Sequence, residues 1–284
     1  MSTERTRFET EVPGIWGLWP RTPPRWSYSS LRAVEACPSQ WMLSRADYPD
    51  IWDRHGYPAL PVVSAIFGNV VHGVVERLAR ELRAAGVTAP DTSDVVDVLG
   101  SLGGWRAIVF AAIERELARL GDNPRVGPKR IDRLRDELIR LAPEAADQVK
   151  VFLGRGAFPS VSEIRTSASG VAPAVGGPVQ RTPAGSGAHA EFELIAEALR
   201  LTGRIDLLLV NEAGVGIVDF KTGATDDDHG DQVRLYALLW YLDEQVNPNR
   251  RLATDLHVVY PAGEQVIEPP DRAELQSLED ATSA

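Results

Sequence analysis

The sequence predicts an α/β fold: a central mixed β-sheet flanked by helices, with a helical N-terminal part packed beside it. Three observations carry this. Apolar residues recur at helical spacing through the first half, most clearly in "VSAIFGNVVHGVVERLARELRAAG". From residue 188 the pattern switches to period two in "AHAEFELIA", "ALRLTGRIDLLLVN" and "VGIVDFKT". Helical sequence then returns before a late strand at "TDLHVVYP". Strands with helices before and after them make a helix-flanked sheet.

Taken in order, residues 1–26 are rich in Pro, Trp and Arg without periodicity and read as an irregular arm. Residues 27–159 form the helical part. "SYSSLRAVEACPSQWML" offers serine caps followed by Leu31, Val34 and Trp41 at roughly helical spacing, and Pro38 ends or kinks that helix. In the next helix Phe67, Val70, Val71, Val74, Val75, Leu78 and Leu82 form one stripe, and Gly86 is a natural stop. Further helices are predicted over 94–120 and 129–153. Residues 160–188 turn to Gly, Pro, Ser and Ala and read as a long loop or linker. Residues 189–284 then carry the strands, with "NEAG" turning the second into the third, and a helix over 228–245.

Composition bounds the function. Of 284 residues, 44% are hydrophobic and 25% charged, which is ordinary for a globular protein with a real core. No apolar run approaches the roughly 20 residues that cross a bilayer. "MSTERTRFETEV" has no apolar core of a secretory signal, so a cytoplasmic protein is expected. Cys37 is the only cysteine, which excludes an internal disulfide and a four-cysteine zinc or iron–sulfur site built from this chain alone. A net charge of -10 argues against a general nucleic-acid binder but says nothing about local patches. One patch stands out: Arg125, Lys129, Arg130, Arg133, Arg135 and Arg140 face three acids over the same stretch. It reads either as a solvated helix face with i,i+4 ion pairs or as an anion-binding surface.

The chemistry concentrates in "GRIDLLLVNEAGVGIVDFKTG", where Asp206, Asp219 and Lys221 interrupt two strand-like runs. Such residues are poor strand formers and costly to bury unpaired. On a strand Asp219 and Lys221, two apart, share one face, while Val218 and Phe220 point the other way into a core. If the hairpin pairs the two strands, Asp206 lies beside Asp219. Two carboxylates and an ammonium then share one patch. Carboxylate and carbonyl oxygens bind hard cations such as Mg2+, and a lysine beside the metal orients water and offsets developing negative charge.

These residues resemble the PD-(D/E)XK nucleases, in particular their RecB-like branch. "GRID" with Asp206 is similar to that branch's G-x-x-D element, and "IVDFKTG" to its D-x-K element. "QVRLYALL", with Gln232 and Tyr236, resembles its helical Q-x-x-x-Y signature. "FGNVVHGVVE" resembles the upstream helix whose histidine, here His72, joins the metal site. "AEFEL" supplies Glu191 about where the family often has a first-strand glutamate. "SYSSLRAVEACPSQW" is similar to the opening helix with its Cys-Pro pair. The resemblance covers residues 27 to about 84 and 189 to about 260.

It implies a restriction-endonuclease-like fold and a DNA nuclease, an exonuclease by branch, acting in repair, recombination or defence against foreign DNA. His72, Asp206, Asp219 and the Phe220 backbone carbonyl would hold Mg2+ or Mn2+. Lys221, Asp219, Asp206, Glu191, Gln232 and Tyr236 would form the catalytic set, with products ending in 5′-phosphate and 3′-hydroxyl. Some members hold an iron–sulfur cluster through four cysteines; with Cys37 alone, none is expected here, and Cys37 is expected to pack as a small buried residue. DNA is the expected partner, tracked by Arg130 and Arg133, with a helicase or other nuclease-complex subunit as a further partner. The alternative is a catalytically silent nuclease-fold subunit that binds DNA or scaffolds a complex, with Trp16, Trp19 and Trp26 of the arm as docking residues.

Plainer readings stand beside these. Asp219 and Lys221 could be a structural ion pair. Gln232 and Tyr236, i,i+4 on one helix, could be a polar face beside a core aromatic. His72 lies about 120° off its helix's apolar stripe, where a histidine is usually just solvated. Glu193 falls on the same strand face as Glu191 and could take its role. Asp226, Asp227 and Asp228 read as helix capping, and His229 as a solvated loop residue.

Overall fold

A computed structural model describes residues 23–53, 55–87, 93–154, 181–224 and 228–283. Residues 1–22 of the arm, Asp226, Asp227 and most of the 160–188 linker lie outside them. The first helical stretch breaks where proline dictates, into α1 (Tyr28–Ala36) and α2 (Pro38–Arg45). Ser27 Oγ caps α1 by accepting the Ser30 N–H. Cys37, at the corner between the two helices, is half-buried and not the fully buried residue expected.

α3 (Val63–Ala84) buries all seven residues of its predicted stripe. The stretch 94–120 departs from expectation by forming two helices, α4 (Ser93–Ser101) and α5 (Gly104–Ala118), bent by 48°. The cause is local: Gly103 and Gly104 take φ of 84° and 80°, a left-handed conformation that stops one helix and restarts another. α6 (Pro128–Gly154) follows and packs with α3 and α5. No single described helix is long and apolar enough to cross a bilayer.

The sheet-bearing part comprises β1 (Gly187–Ala196), β2 (Leu201–Val210), β3 (Val215–Phe220), α7 (Asp228–Leu242), β4 (Asp255–Tyr260), β5 (Gly263–Ile267) and α8 (Arg272–Ser283). The strands lie in the order β1-β2-β3-β4-β5. Only β3 and β4 pair parallel, across the α7 crossover; the other neighbours are antiparallel, so the sheet is mixed as predicted. Residues 187 and 188, read as linker, are already strand.

Each face of the sheet has its own core. Leu207, Val218 and Phe220 pack against α3, α5 and α6, with the Phe220 ring stacked on Phe152 at 4.5 Å. Ile205, Leu208 and Ile217 pack against Val233, Tyr236 and Trp240 of α7. The helical part therefore covers one face and α7 the other. The polar residues of β2 and β3 sit where the two coverings meet.

Candidate active site

The β2–β3 register sets Leu207 opposite Val218, which places Asp206 next to Asp219 across the hairpin. Asp206 Oδ2 accepts the Phe220 N–H at 2.6 Å, so the carboxylate is tied to the neighbouring strand's backbone. Asp219 is 2% exposed. Its Oδ2 lies 2.7 Å from Lys221 Nζ. That approach is ionic only, because Oδ2 has no hydrogen-bond partner among the described residues. Lys221 Nζ instead donates to Gln232 Oε1 at 2.7 Å, and Gln232 Nε2 donates to the Tyr236 hydroxyl at 2.6 Å. Because an ammonium only donates, the amide oxygen must face Lys221, which sends its NH2 to the phenol.

α7 comes this close because β2 lets it. A Cβ at Gly203 would stand 2.8 Å from Leu239 Cδ1 and from Tyr236 Cε1, so the glycine of "GRID" admits the helix that carries Gln232 and Tyr236. α3 closes from the other side. His72 Nδ1 lies 3.2 Å from Asp206 Oδ1. Gly68, one turn earlier, faces the Thr222 hydroxyl, 3.2 Å from where a Cβ would stand.

Glu191 arrives through a distortion of β1. Ala190 pairs with Leu207 and Phe192 with Ile205, which leaves Glu191 opposite Asp206. Glu191 has φ of 52°, a conformation that side-chain-bearing residues adopt at a cost. Inward alternation slips at this point. Ala188 enters one core and Leu194 the other, although both are even-numbered; Leu207 and Ile205 divide likewise on β2. Glu191 is thereby turned toward Asp206 and His72. One ligand atom from each of His72, Glu191 and Asp206 lies within 4.8 Å of the other two. Glu193 is exposed and lines a separate cavity beside Arg181 and Asp243.

The electrostatics follow from this crowding. Burial raises the Glu191 carboxyl to about 7, with the Asp206 charge adding to it. Burial and Asp206 likewise raise Asp219 to about 7 against the pull of Lys221. At His72 burial opposes the charged ring but is outweighed by Asp206, Glu191 and Asp219, which hold it up to about 9. Burial and Asp219 push the Tyr236 phenol well above its ordinary value, so it stays neutral.

Glu191, Asp219 and His72, all raised in proton affinity beside the Asp206 carboxylate, suit a divalent cation. The buried Asp219 Oδ2, which has the Lys221 charge but no hydrogen bond, can take one, and the His72, Glu191 and Asp206 donors are close enough to share another. The residues fit the metal. The cleft holds about 510 Å3 and is also lined by Thr222, Gly223, Ala224 and His229.

His229 corrects an expectation: it lies on α7, half-buried, with Nδ1 2.9 Å from the Tyr260 hydroxyl. The loop reading failed because α7 begins at Asp228. Arg204 also escaped notice. It stands two residues before Asp206, its guanidinium 3.7 Å from Glu191 Oε2, and strand alternation from Asp206 was the signal that could have found it. Arg130 and Arg133 are not in the cleft; both are exposed at the start of α6, where Arg130 reaches the Pro61 carbonyl at 3.5 Å.

No curated protein matches the chain. A family model, however, matches residues 25–283, and it is the one to which the paired Asp206 and Asp219–Phe220–Lys221 strands point. The fold is accordingly restriction-endonuclease-like, and the chain belongs to the PD-(D/E)XK nuclease superfamily.

Proposed function

We propose that the protein is a Mg2+- or Mn2+-dependent deoxyribonuclease of the RecB-like branch, working as an exonuclease in DNA repair and recombination or in defence against foreign DNA. The observation that carries the reading is the convergence of Lys221 with Asp206 and Asp219 on one cleft, with Glu191 beside Asp206 and a buried Asp219 oxygen held only by the Lys221 charge. His72 from α3, and Gln232 with Tyr236 on α7, support the branch. The exonuclease mode and the biological setting rest on the resemblance to that branch.

His72, Glu191, Asp206 and Asp219, with the Phe220 carbonyl, would hold one or two cations. A divalent cation there supplies Lewis acidity toward phosphoryl oxygens and lowers the pKa of bound water. Lys221 orients the attacking water and offsets the negative charge that grows on the phosphoryl oxygens. Gln232 fixes the ammonium, and Tyr236 fixes Gln232. The water oxygen bonds to phosphorus as the P–O3′ bond breaks. Water's proton leaves and the departing 3′ oxygen gains one, giving 5′-phosphate and 3′-hydroxyl ends. Arg130 and Arg133 track the backbone; charge reversal at both lowers DNA affinity at low salt, and unchanged affinity would remove them from this role.

The test is a cleavage assay on linear and circular, single- and double-stranded DNA with Mg2+, Mn2+ or EDTA. Cleavage that needs the cation and is lost in Lys221→Ala is expected, with linear DNA degraded and circles spared. Silence on every substrate, with a helicase co-purifying, would favour the catalytically silent subunit.

A further inference from the structure

Seven large apolar side chains are exposed among the described residues, and five of them, Leu43, Ile51, Tyr57, Leu60 and Val62, fall between residues 43 and 62. This segment joins α2 to α3 and borders a groove of about 580 Å3. Exposed apolar side chains gathered in one stretch mark a binding surface, whereas scattered ones do not. Tyr57, Leu60 and Val62 line the groove, at 42%, 41% and 60% exposure.

The rim is basic. Arg45 lines the groove and is exposed. Arg125 donates to the Pro58 carbonyl at 3.0 Å and lies over the Tyr57 ring at 5.0 Å. Arg130 donates to the Pro61 carbonyl. These contacts tie Arg125 and the start of α6 to the apolar segment. Among the described residues, none of these three cations is ion-paired with a carboxylate; Arg119, which also lines the groove, is already engaged by Glu116, another lining residue, at 2.7 Å.

The groove and the cleft both border α3. Ile66 and Asn69 line the groove, and Asn69 is one turn before His72 on α3. Between them Gly68 touches Thr222, which lines the catalytic cavity.

We infer that this groove is the path of single-stranded DNA into the cleft. The inference rests on the nuclease reading above. An apolar floor under a cationic rim matches a strand whose bases are unstacked: phosphates meet the guanidinium groups and bases lie on the apolar side chains. A duplex offers no such match, because it turns phosphates outward and hides its base faces.

The experiment is fluorescence anisotropy with labelled single-stranded and duplex 20-mers in EDTA, where no cleavage occurs. The full chain is compared with Leu60→Ser/Val62→Ser and with Arg45→Glu/Arg130→Glu. All four side chains are exposed, and the Arg130 contact with Pro61 is long at 3.5 Å, so melting temperatures should change little. The expected result is preference for the single strand and weakening of about tenfold in the apolar variant. The charge variant should lose more and lower the salt slope by roughly 1 to 2.

Equal binding of both DNA forms, or variants that bind like the parent, would overturn the groove, while cation-dependent cleavage in the same preparation would leave the nuclease reading standing. Groove-dependent binding with no cleavage under any cation would do the reverse. A parent that is a dimer by light scattering, made monomeric by Leu60→Ser/Val62→Ser with DNA affinity unchanged, would make the surface a protein interface and overturn the proposal.

Discussion

At one end of the cleft Lys221, Gln232 and Tyr236 stand in a chain of hydrogen bonds of 2.7 and 2.6 Å. At the other, His72, Glu191 and Asp206 converge with ligand atoms within 4.8 Å, and both Glu191 and His72 are pushed toward their protonated forms. The first end is satisfied by its own neighbours and needs no ligand to be rigid. The second end is crowded with like charge and is relieved only by protons or by a cation. Asp219 joins them, with Lys221 on one side and Asp206 on the other. Under the proposed function the difference separates two tasks: one end would position a charge, the other would bind one.

The largest effect should come from breaking the hinge between them. Lys221→Ala removes the ammonium from both Asp219 and Gln232, and turnover should fall by at least about a hundredfold. Cation binding, followed by calorimetry, should persist, because the His72–Glu191–Asp206 end is untouched. Loss of cation binding together with turnover would show that the two ends are one unit.

Next in size are His72→Ala and Glu191→Gln. Partners that only orient a ligand typically cost about 10–100-fold in metal affinity, and a ligand itself should cost at least that. Mn2+ titration of each variant measures it. A variant that bound Mn2+ like the parent would take that residue out of the metal set.

The pH dependence sharpens the same contrast. The folded state holds His72 at about 9 against an ordinary 6.5, Glu191 at about 7 against 4.5, and Asp219 at about 7 against 3.8. All three are raised, so the folded protein keeps protons that the unfolded chain has already lost. Their contribution to stability is full below the unfolded values and declines as pH rises through the folded ones. The cation-free protein should therefore melt several degrees lower at pH 8.5 than at pH 5.5. Excess Mg2+ should remove the loss, since it binds only the deprotonated groups, and its affinity should rise with pH as protons are released. A cation-free melting temperature that stays flat or rises over this range would contradict the crowding at that end.

How much of this was legible in the sequence follows the same division. The satisfied end was readable, because strand alternation puts Asp219 and Lys221 on one face, helical spacing puts Gln232 and Tyr236 on another, and the hairpin joins Asp206 to them. The apolar stripe of α3 was equally plain. The crowded end depended on distance in space. That Glu191 and not Glu193 meets Asp206 rests on a φ of 52°, which no propensity announces. That His72 reaches Asp206 across more than a hundred residues follows from packing of α3 on the sheet, not from any local pattern. The break at Gly103–Gly104 was written in the sequence as paired glycines, but an apolar run on both sides outweighed it. β5 went unseen because it is a short edge strand whose Val266 is 70% exposed, without a buried face to give it a period.

The smallest effect should be at the satisfied end, in Gln232→Ala. Lys221 would lose its hydrogen bond to Oε1 but keep the 2.7 Å approach to Asp219, so the ammonium stays near its place with more freedom. The Tyr236 hydroxyl would lose its donor from Nε2 while the ring stays packed against Gly203. Losing one hydrogen bond to a charged group corresponds to about 1.5–3 kcal/mol in a buried setting, and part of that is recovered if water reaches the ammonium. Turnover should therefore drop by about tenfold, with cation affinity and melting temperature close to the parent's. Tyr236→Phe should drop it less, because Gln232 still accepts from Lys221. A Gln232→Ala variant that lost cation affinity as His72→Ala does would mean that the hydrogen-bonded chain also shapes the metal end, and the division of tasks across the cleft would fail.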